Sequence, residues 1–356
     1  MISIEALPAA DGDCLWVEWA HRGRTRRMIV DGGRGSVLLE RLHRLPEDDR
    51  HIDLIVCTHI DVDHIDGLVA LFGQPPPGLS VGQVWFNGRR HLRQDIAGPR
   101  QGDRLEVLLD RAGTPWNTAF GGGAVVVPDR GDLPAVRFAG LTFTLLAPDR
   151  RALARLDAAW PDVLADLLPP LEGRRMTDED AATPLADLAS APYTPDTTAA
   201  NGSSIAFIAE HEDGGRILFA ADSPAEALLN GLRRLGEGTP VALDVCKVPH
   251  HGSARNVSTD LVSHLACDHW LFSTSGARHA HPDRRAIARI VAGRPRSTLV
   301  FNYSSRTTSP YGDDAESARF GFRTLLPRGD RPGVTLRVSA GRVETTGPVR
   351  SGGATS

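Results

Sequence analysis

The run Thr58-His59-Ile60-Asp61-Val62-Asp63-His64-Ile65-Asp66-Gly67 carries the densest chemistry in the chain. Its imidazoles and carboxylates follow directly on the mostly apolar run Ile52 to Cys57. That run has the length and β-branched content of a buried strand. Donors gathered at a strand end let the following loop wrap a cation. Imidazole and carboxylate together suit Zn²⁺, Mn²⁺ or Fe better than a thiolate site does. The plain alternative is an Asp-rich turn with solvated histidines. Alternation followed by an adjacent Asp-His pair is an unusual way to build one. Period-two alternation lets residues 59, 61 and 63 project to one side of an extended turn.

More donors follow downstream. Asp222 ends the strand-like run Ile217 to Ala221, and His250-His251 follow the strand-like run Ala242 to Val248. Asp222 has a second reading, because Asp-Ser-Pro is also good N-cap chemistry for a helix. Adjacent residues leave a strand end in different directions, so His250 and His251 cannot easily bind one ion together. Gly32-Gly33-Arg34-Gly35 lacks the spacing and the Lys-Ser/Thr pair of a phosphate-binding loop. No Ser-His-Asp or Cys-His constellation competes for a nucleophile role in the motif region.

These donors need a scaffold, and the chain reads as strands alternating with helices. Ile2 to Leu7, Cys14 to Trp19, Arg27 to Asp31, Val84 to Phe86 and Leu141 to Leu146 read as strands. Ile205 to Glu210 and Arg216 to Ala220 form a hairpin, and Trp270 to Ser273, Thr298 to Asn302 and Gly333 to Val338 complete the strands. Helices are expected over Ser36 to Leu45, from Gly67 to Phe72, and over Arg104 to Ala112 and Arg150 to Leu168. Further helices are expected over Ser223 to Leu235, Ser258 to Ala266 and Asp283 to Gly293. Glu172 to Thr198 is acidic, Pro-bearing and short of large apolar residues, the pattern of a mobile insertion. The tail from Gly347 is expected to fray.

Composition sets limits. With 356 residues, 41% of them hydrophobic, the chain can bury a large core. The net charge of −4 supplies no global basic field for nucleic acid, so any basic surface must be local. Cys14, Cys57, Cys246 and Cys267 lie far apart without CxxC spacing. They read as buried free thiols of a reducing compartment. No stretch approaches a membrane span, and the start shows neither a basic nor an apolar signal region. The expected location is the cytoplasm.

The first motif resembles the HxHxDH metal-binding signature of the metallo-β-lactamase fold, with Asp61 in place of the second His. The resulting HxDxDH is similar to the form found in the nuclease-like domains of the ComEC/Rec2 DNA-uptake proteins and their soluble relatives. Other segments fall in the family's order: Gly12 to Val17, Met28 to Gly33, Val84 to Gly88, Asn201 to Ile205, Ile217 to Asp222, Lys247 to Ser253, Ser273 to Pro282 and Phe301 to Tyr303. The match spans roughly residues 1 to 340.

The resemblance implies an α/β, four-layer αββα sandwich with helical and loop insertions. It would occupy residues 1–346, with a partly mobile insertion over about 150–198 and a flexible tail over 347–356. It implies one or two divalent metal ions, Zn or Mn. His59 and Asp61 would face one ion, Asp63 and His64 the other, and Asp222 would bridge them. His250 is favoured as the last ligand of the second ion, with His251 in support or touching substrate. His281, in an Ala280-His281-Pro282 element, is expected to donate a proton or contact phosphate.

One departure matters: Thr197 to Ser204 holds no His where many two-metal members carry one. Asn201 or a hydroxyl such as Ser203 would stand in, giving oxygen-rich ligation that favours Mn²⁺ or Mg²⁺. Asp31 is expected to accept a hydrogen bond from a ligand imidazole. Asp13 and Asp66 are expected beside it, Lys247 and Arg278 against an anionic substrate, and Asn302 and Tyr303 along the cleft.

The implied activity is metal-dependent hydrolysis by activated water, with Asp63 and His281 as catalytic residues. A phosphodiester of DNA, RNA or a nucleotide messenger is the favoured substrate, and Arg89, Arg90, Arg93 and Arg100 form a local basic cluster. Two alternatives stay open: hydrolysis of a lactone, thioester or β-lactam, and a partner-dependent role in an anti-phage defence system.

Overall fold

The structure, a computed structural model, describes residues 1–92, 104–166, 180, 183–312, 314–328, 331–346 and 349–352. The first sheet is built from β1 (Ile2–Ala6), β2 (Leu15–His21), β3 (Arg24–Val30), β4 (His51–Val56) and β5 (Ser80–Trp85). The second takes β6 (Ala135–Phe138), β7 (Leu141–Ala147), β8 (Ala206–His211), β9 (Arg216–Phe219), β10 (Val241–Lys247), β11 (Leu265–Phe272), β12 (Thr298–Phe301) and β13 (Arg323–Pro327). The chain then returns to the first sheet as β14 (Val334–Ser339) and β15 (Arg342–Thr346), and closes on the second with β16 (Val349–Gly352). The first sheet runs β15-β14-β1-β2-β3-β4-β5, the second β16-β13-β12-β11-β10-β9-β8-β7-β6.

Side-chain alternation sorts the residues into layers. On β2, Leu15, Val17 and Trp19 point into an apolar layer that also holds Phe143, Phe207, Phe219 and Val245 of the second sheet. Trp16, on the opposite face, packs instead with Leu38, Leu68, Leu71 and Leu105 of the helices Val37–His43, Val62–Gly73 and Arg104–Ala112. The outer face of the second sheet is covered by the helices Ala225–Gly236, Thr259–Ser263 and Arg284–Gly293 through Leu228, Leu261 and Ile287. Helices, sheet, sheet and helices follow one another, the four-layer arrangement expected. Among the described residues no helix is long and apolar enough to cross a membrane. All four cysteines are buried.

Four expectations change. The helix read from Gly67 starts at Val62, so Asp63 and His64 sit on its first turn and not on an extended loop. Ser258 caps a helix of only Thr259–Ser263, accepting from the Leu261 amide, and β11 begins at Leu265 where helix was expected. The reason is tertiary: Leu265 and Cys267 are buried in parallel register with Val241 and Leu243 of β10. Residues 183–198, expected to be mobile, are packed down. Leu185 and Leu188 are buried, and the Arg289 guanidinium donates to the Ala191 and Pro192 carbonyls. Finally, Val349–Gly352 pairs with β13 inside the stretch expected to fray. Residues 172–179, 181–182 and 93–103 lie outside the described residues.

β3 and β4 run parallel, as do β9, β10 and β11. Within each sheet their carboxyl ends therefore face one edge, where open α/β sheets place their functional groups. Asp31 follows β3, His59 follows β4, Asp222 follows β9 and His250-His251 follow β10.

Candidate metal centre

Asp31 organises the first half of the site. It holds a left-handed backbone at φ 60° and accepts from the Thr58 amide and hydroxyl at 2.7 Å each. The Gly32 amide donates to the His64 carbonyl at 2.7 Å, and the Gly67 amide to the Gly33 carbonyl at 2.9 Å. This close approach requires glycine, because a Cβ on Gly67 would stand 2.1 Å from the Gly32 oxygen. The turn after β3 is thus stitched to the helix that presents Asp63 and His64.

Each of four histidines is anchored through Nδ1. His59 Nδ1 meets the Thr58 hydroxyl at 3.0 Å, and His64 Nδ1 meets Asp31 Oδ2 at 2.8 Å. His250 Nδ1 meets Asn256 Oδ1 at 2.9 Å, and His251 Nδ1 meets the Ser273 carbonyl at 2.8 Å. Acceptors on Nδ1 select the tautomer that leaves Nε2 as a lone-pair donor, the usual support of a metal-ligating imidazole. All four Nε2 atoms stand around Asp222 Oδ2: His64, His250 and His251 at 3.5 Å and His59 at 4.0 Å.

The donors divide into two groups sharing that carboxylate. Asp63 Oδ2 lies 3.9 Å from His64 Nε2 and 3.6 Å from His251 Nε2, and the two Nε2 atoms are 3.2 Å apart. A tetrahedral site with metal–ligand distances of about 2.0–2.1 Å has edges of about 3.4 Å, which these separations approach. On the other side stand His59, with Asp61 Oδ2 at 3.5 Å from its Nε2, and His250. Asp61 occupies the N-cap position of its helix without making a side-chain cap bond.

The positions of His250 and His251 correct the expectation. His251, buried, joins Asp63 and His64, whereas half-buried His250 faces the half containing His59. The cause is backbone: both residues are left-handed, at φ 46° and 53°, and Gly252 follows at 88°. Consecutive left-handed residues are rare and strained, and such strain concentrates at functional sites. Here the turn brings neighbouring imidazoles to Asp222 from two directions.

Electrostatics show what the donor set fits. Asp13, Asp31 and Asp222 are buried and Asp63 half-buried, with Lys247 the buried ammonium among them. Lys247 is committed, since its Nζ lies 2.6 Å from Asp13 Oδ2. The remaining negative charge raises His64, His250 and His251. Burial opposes the His251 imidazolium, but Asp222 and Asp13 push its pKa up to about 10. His64 is raised well above its usual value against the same burial, by Asp222, Asp31 and Asp63. Asp222 is held well below the carboxylate range despite burial, chiefly by His251 and His64. His59 Nε2 and Asp222 Oδ1 are buried without a hydrogen-bond partner. Orphaned donors of this kind and surplus buried negative charge fit divalent cations, which would replace the protons on the imidazoles.

The other expected residues divide. Asp31 Oδ2 meets His64 Nδ1, and Asp13 Oδ1 lies 3.3 Å from His251 Nδ1. Asn201 is buried with Nδ2 at 3.3 Å from His250 Nδ1, its Oδ1 lacking a partner. The His281 ring centroid is 5.4 Å from that of His250, and its Nδ1 meets Asp283 at 3.2 Å. Ser203 turns away, its hydroxyl donating to the Ala200 carbonyl. Asp66 is exposed and accepts from the Gly35 amide. Lys247 is sealed against Asp13 and cannot meet substrate. Asn302 is buried as a brace between the Thr274 amide and the Leu7 carbonyl, and the Tyr303 hydroxyl accepts from the Ala10 amide. The Arg278 amide donates to Asp11. Arg90 is paired with Glu106 and Asp110 over the Trp116 ring, while Arg93 and Arg100 lie outside the described residues.

Sequence reasoning missed Asp196 and Asn256. Asp196 Oδ2 accepts from Asn201 at 2.6 Å and from Asn256 at 3.1 Å, and lies 3.5 Å from His250 Nδ1. Its Oδ1 also accepts from the Thr198 amide. The segment Asp196-Thr-Thr before a helical turn is Asx-type cap chemistry that reads from sequence. Its link to the site depends on contacts made across the fold.

No family model matches the chain, and no curated protein matches it. Solved structures do resemble it in part. One titled as a CmlA beta-hydroxylase E377D mutant is 16% identical over 80% of this chain, with a TM-score of 0.35. The match spans about half (49%) of that protein's length. A diphosphatase of the PhnP family is 12% identical over 77% of this chain and 86% of its own, with a TM-score of 0.33. A long-form RNase Z from yeast is 11% identical over 98% of this chain and 49% of its own, with a TM-score of 0.41. These proteins are named for different reactions.

Proposed function

We propose that the protein is a metal-dependent hydrolase acting on phosphodiesters, with a nucleic acid or nucleotide as substrate. The observation that carries this reading is the convergence of four Nδ1-anchored histidines on Asp222, flanked by Asp61 and Asp63. Asp63, His64, His251 and Asp222 would hold one cation, and His59, Asp61, Asp222 and His250 the other. When bound, such cations make water nucleophilic near neutral pH and offset the charge developing on a phosphoryl group.

The chain's own groups supply the rest. Asp222 offers one carboxylate to both halves, which offsets the repulsion between two cations. Asp31, Thr58, Ser273 and Asn256 fix the imidazole rings. His281, held through Nδ1 by Asp283, keeps Nε2 for delivering a proton to the leaving oxygen. The oxygen donor Asp61 on one side favours Mn²⁺ there over a purely imidazole-loving ion. Support for phosphodiesters over other bonds comes from the HxDxDH motif and its likeness to the ComEC/Rec2 nuclease-like domains.

The direct test is hydrolysis of bis(p-nitrophenyl) phosphate, single-stranded DNA and RNA by protein loaded with Mn²⁺ or Zn²⁺. Turnover that disappears in Asp63→Ala is the expected result. Turnover of esters or lactones with none of phosphodiesters would overturn the substrate assignment.

A further inference from the structure

The segment that brings Asp196 and Asn201 to His250 has a second surface. Asp196, Thr198 and Gly202 also line a cavity of about 1000 Å³. Its floor is set by a close approach. The helix Ala225–Gly236 reaches the end of β7 at Gly231, where a Cβ would stand 2.8 Å from the Leu146 backbone. Val127, Leu146 and Ala147 give buried apolar wall.

The polar lining carries five guanidiniums beside four carboxylates. Arg130, Arg151, Arg155 and Arg233 reach the cavity, together with Arg234. Arg234 is spent on the Pro128 and Gly131 carbonyls. The other four make no ion pair among the described residues. Arg151 and Arg155 sit one turn apart on the helix Arg150–Asp166, a like-charge pairing that is unfavourable with nothing between them. The Arg155 guanidinium lies 3.5 Å from where a Cβ on Gly202 would be, against the wall shared with the metal centre. Of the carboxylates present, Asp149 caps its helix through the Ala152 amide, and Asp196 is used by its own donors. Asp129 and Glu226 are exposed, as are Arg130, Arg151, Arg155 and Arg233 at the cavity's rim.

We infer that this cavity binds a nucleotide-sized ligand carrying two or more phosphate groups, at a site separate from the metal centre. Arginine forks match phosphate oxygens in pairs, and convergence in a concave site raises the local potential for anions. The volume is that of a small-ligand site, and the apolar wall suits a ring system beside the phosphates. The inference goes beyond the hydrolase reading and does not depend on it.

The test is calorimetric titration of the metal-loaded protein with adenosine 3′,5′-bisphosphate, which carries two phosphates and no diester to cleave. Saturable binding is expected, weakened roughly tenfold or more in the exposed double variant Arg151→Gln/Arg155→Gln, the scale of one lost charge-assisted bond. Binding should persist in Asp63→Ala, and the double variant should keep its melting temperature and its rate on bis(p-nitrophenyl) phosphate. Absence of saturable binding, or equal affinity in the arginine variant, would overturn the inference. So would binding that is lost in Asp63→Ala and kept in the arginine variant, which puts the ligand at the metal centre. If bis(p-nitrophenyl) phosphate is never turned over, the hydrolase reading fails while this titration still decides the cavity.

Discussion

Asp31 supports the metal centre without belonging to its converging ring of donors. Its carboxylate takes the Thr58 amide, the Thr58 hydroxyl and His64 Nδ1 at once. Asp31→Asn keeps a side chain that tolerates the left-handed backbone but removes the charge that orients His64. Metal affinity or activity should fall by roughly 10–100-fold, measured by metal titration and initial rates. His251→Ala and His250→Ala should each reduce bound metal per chain in elemental analysis. A single loss common to both variants, with identical residual activity, would contradict the two-sided arrangement. His281 has a separate signature. If it protonates the leaving oxygen, His281→Ala should slow an unactivated dinucleotide by about 10²–10⁴-fold, yet barely affect bis(p-nitrophenyl) phosphate, whose leaving group needs no proton. At this scale the sequence showed donor types and not their partners. His59, Asp61, Asp63 and His64 are legible because types and spacing mark them, whereas Asp222 was singled out by its match to the family's segment order. The division of labour between His250 and His251 is not, because it depends on two left-handed residues that nothing local demands.

The element scale adds the backbone contacts that aim those donors. The helix Val62–Gly73 is held against the Asp31 turn by the Gly32 and Gly67 amides. Gly67→Ala would drive a methyl into the Gly32 carbonyl, and overpacking of this kind costs about 1–3 kcal/mol. Denaturant unfolding should show that loss, together with weaker metal binding, because the first turn moves with the helix. The helix start itself was misread from sequence. The Asp-His alternation imitates an extended turn, and the cue for a start at Val62 is only Asp61 in the N-cap position. The helix expected over Ser258 to Ala266 failed differently. Local propensity yielded to parallel pairing of Leu265 and Cys267 with β10, a contact that no short window contains.

Across the whole molecule, donors from the ends of strands in two sheets meet at one edge. Most strands were legible from apolar runs, because buried strands need little beyond length and branched side chains, while the two-sheet layering was implied only by the family resemblance. Convergence of their carboxyl ends rests on long-range order that only the fold supplies. Cations bound there would tie the sheets together and stabilise the native state by mass action. At a free-ion level about a hundredfold above the dissociation constant, the gain is about 2.7 kcal/mol. Chelation should therefore lower the melting temperature by about 4 °C, reversibly on adding Mn²⁺ or Zn²⁺. An unchanged melting curve would mean that the edge is assembled without ions. The tandem left-handed kink after β10 has a further consequence. A single peptide link presents one donor to each half, so seating the first ion immobilises the linkage that must present its neighbour. Loading should then be cooperative, the second ion entering more tightly than the first, and two independent isotherms would show the kink to be rigid beforehand.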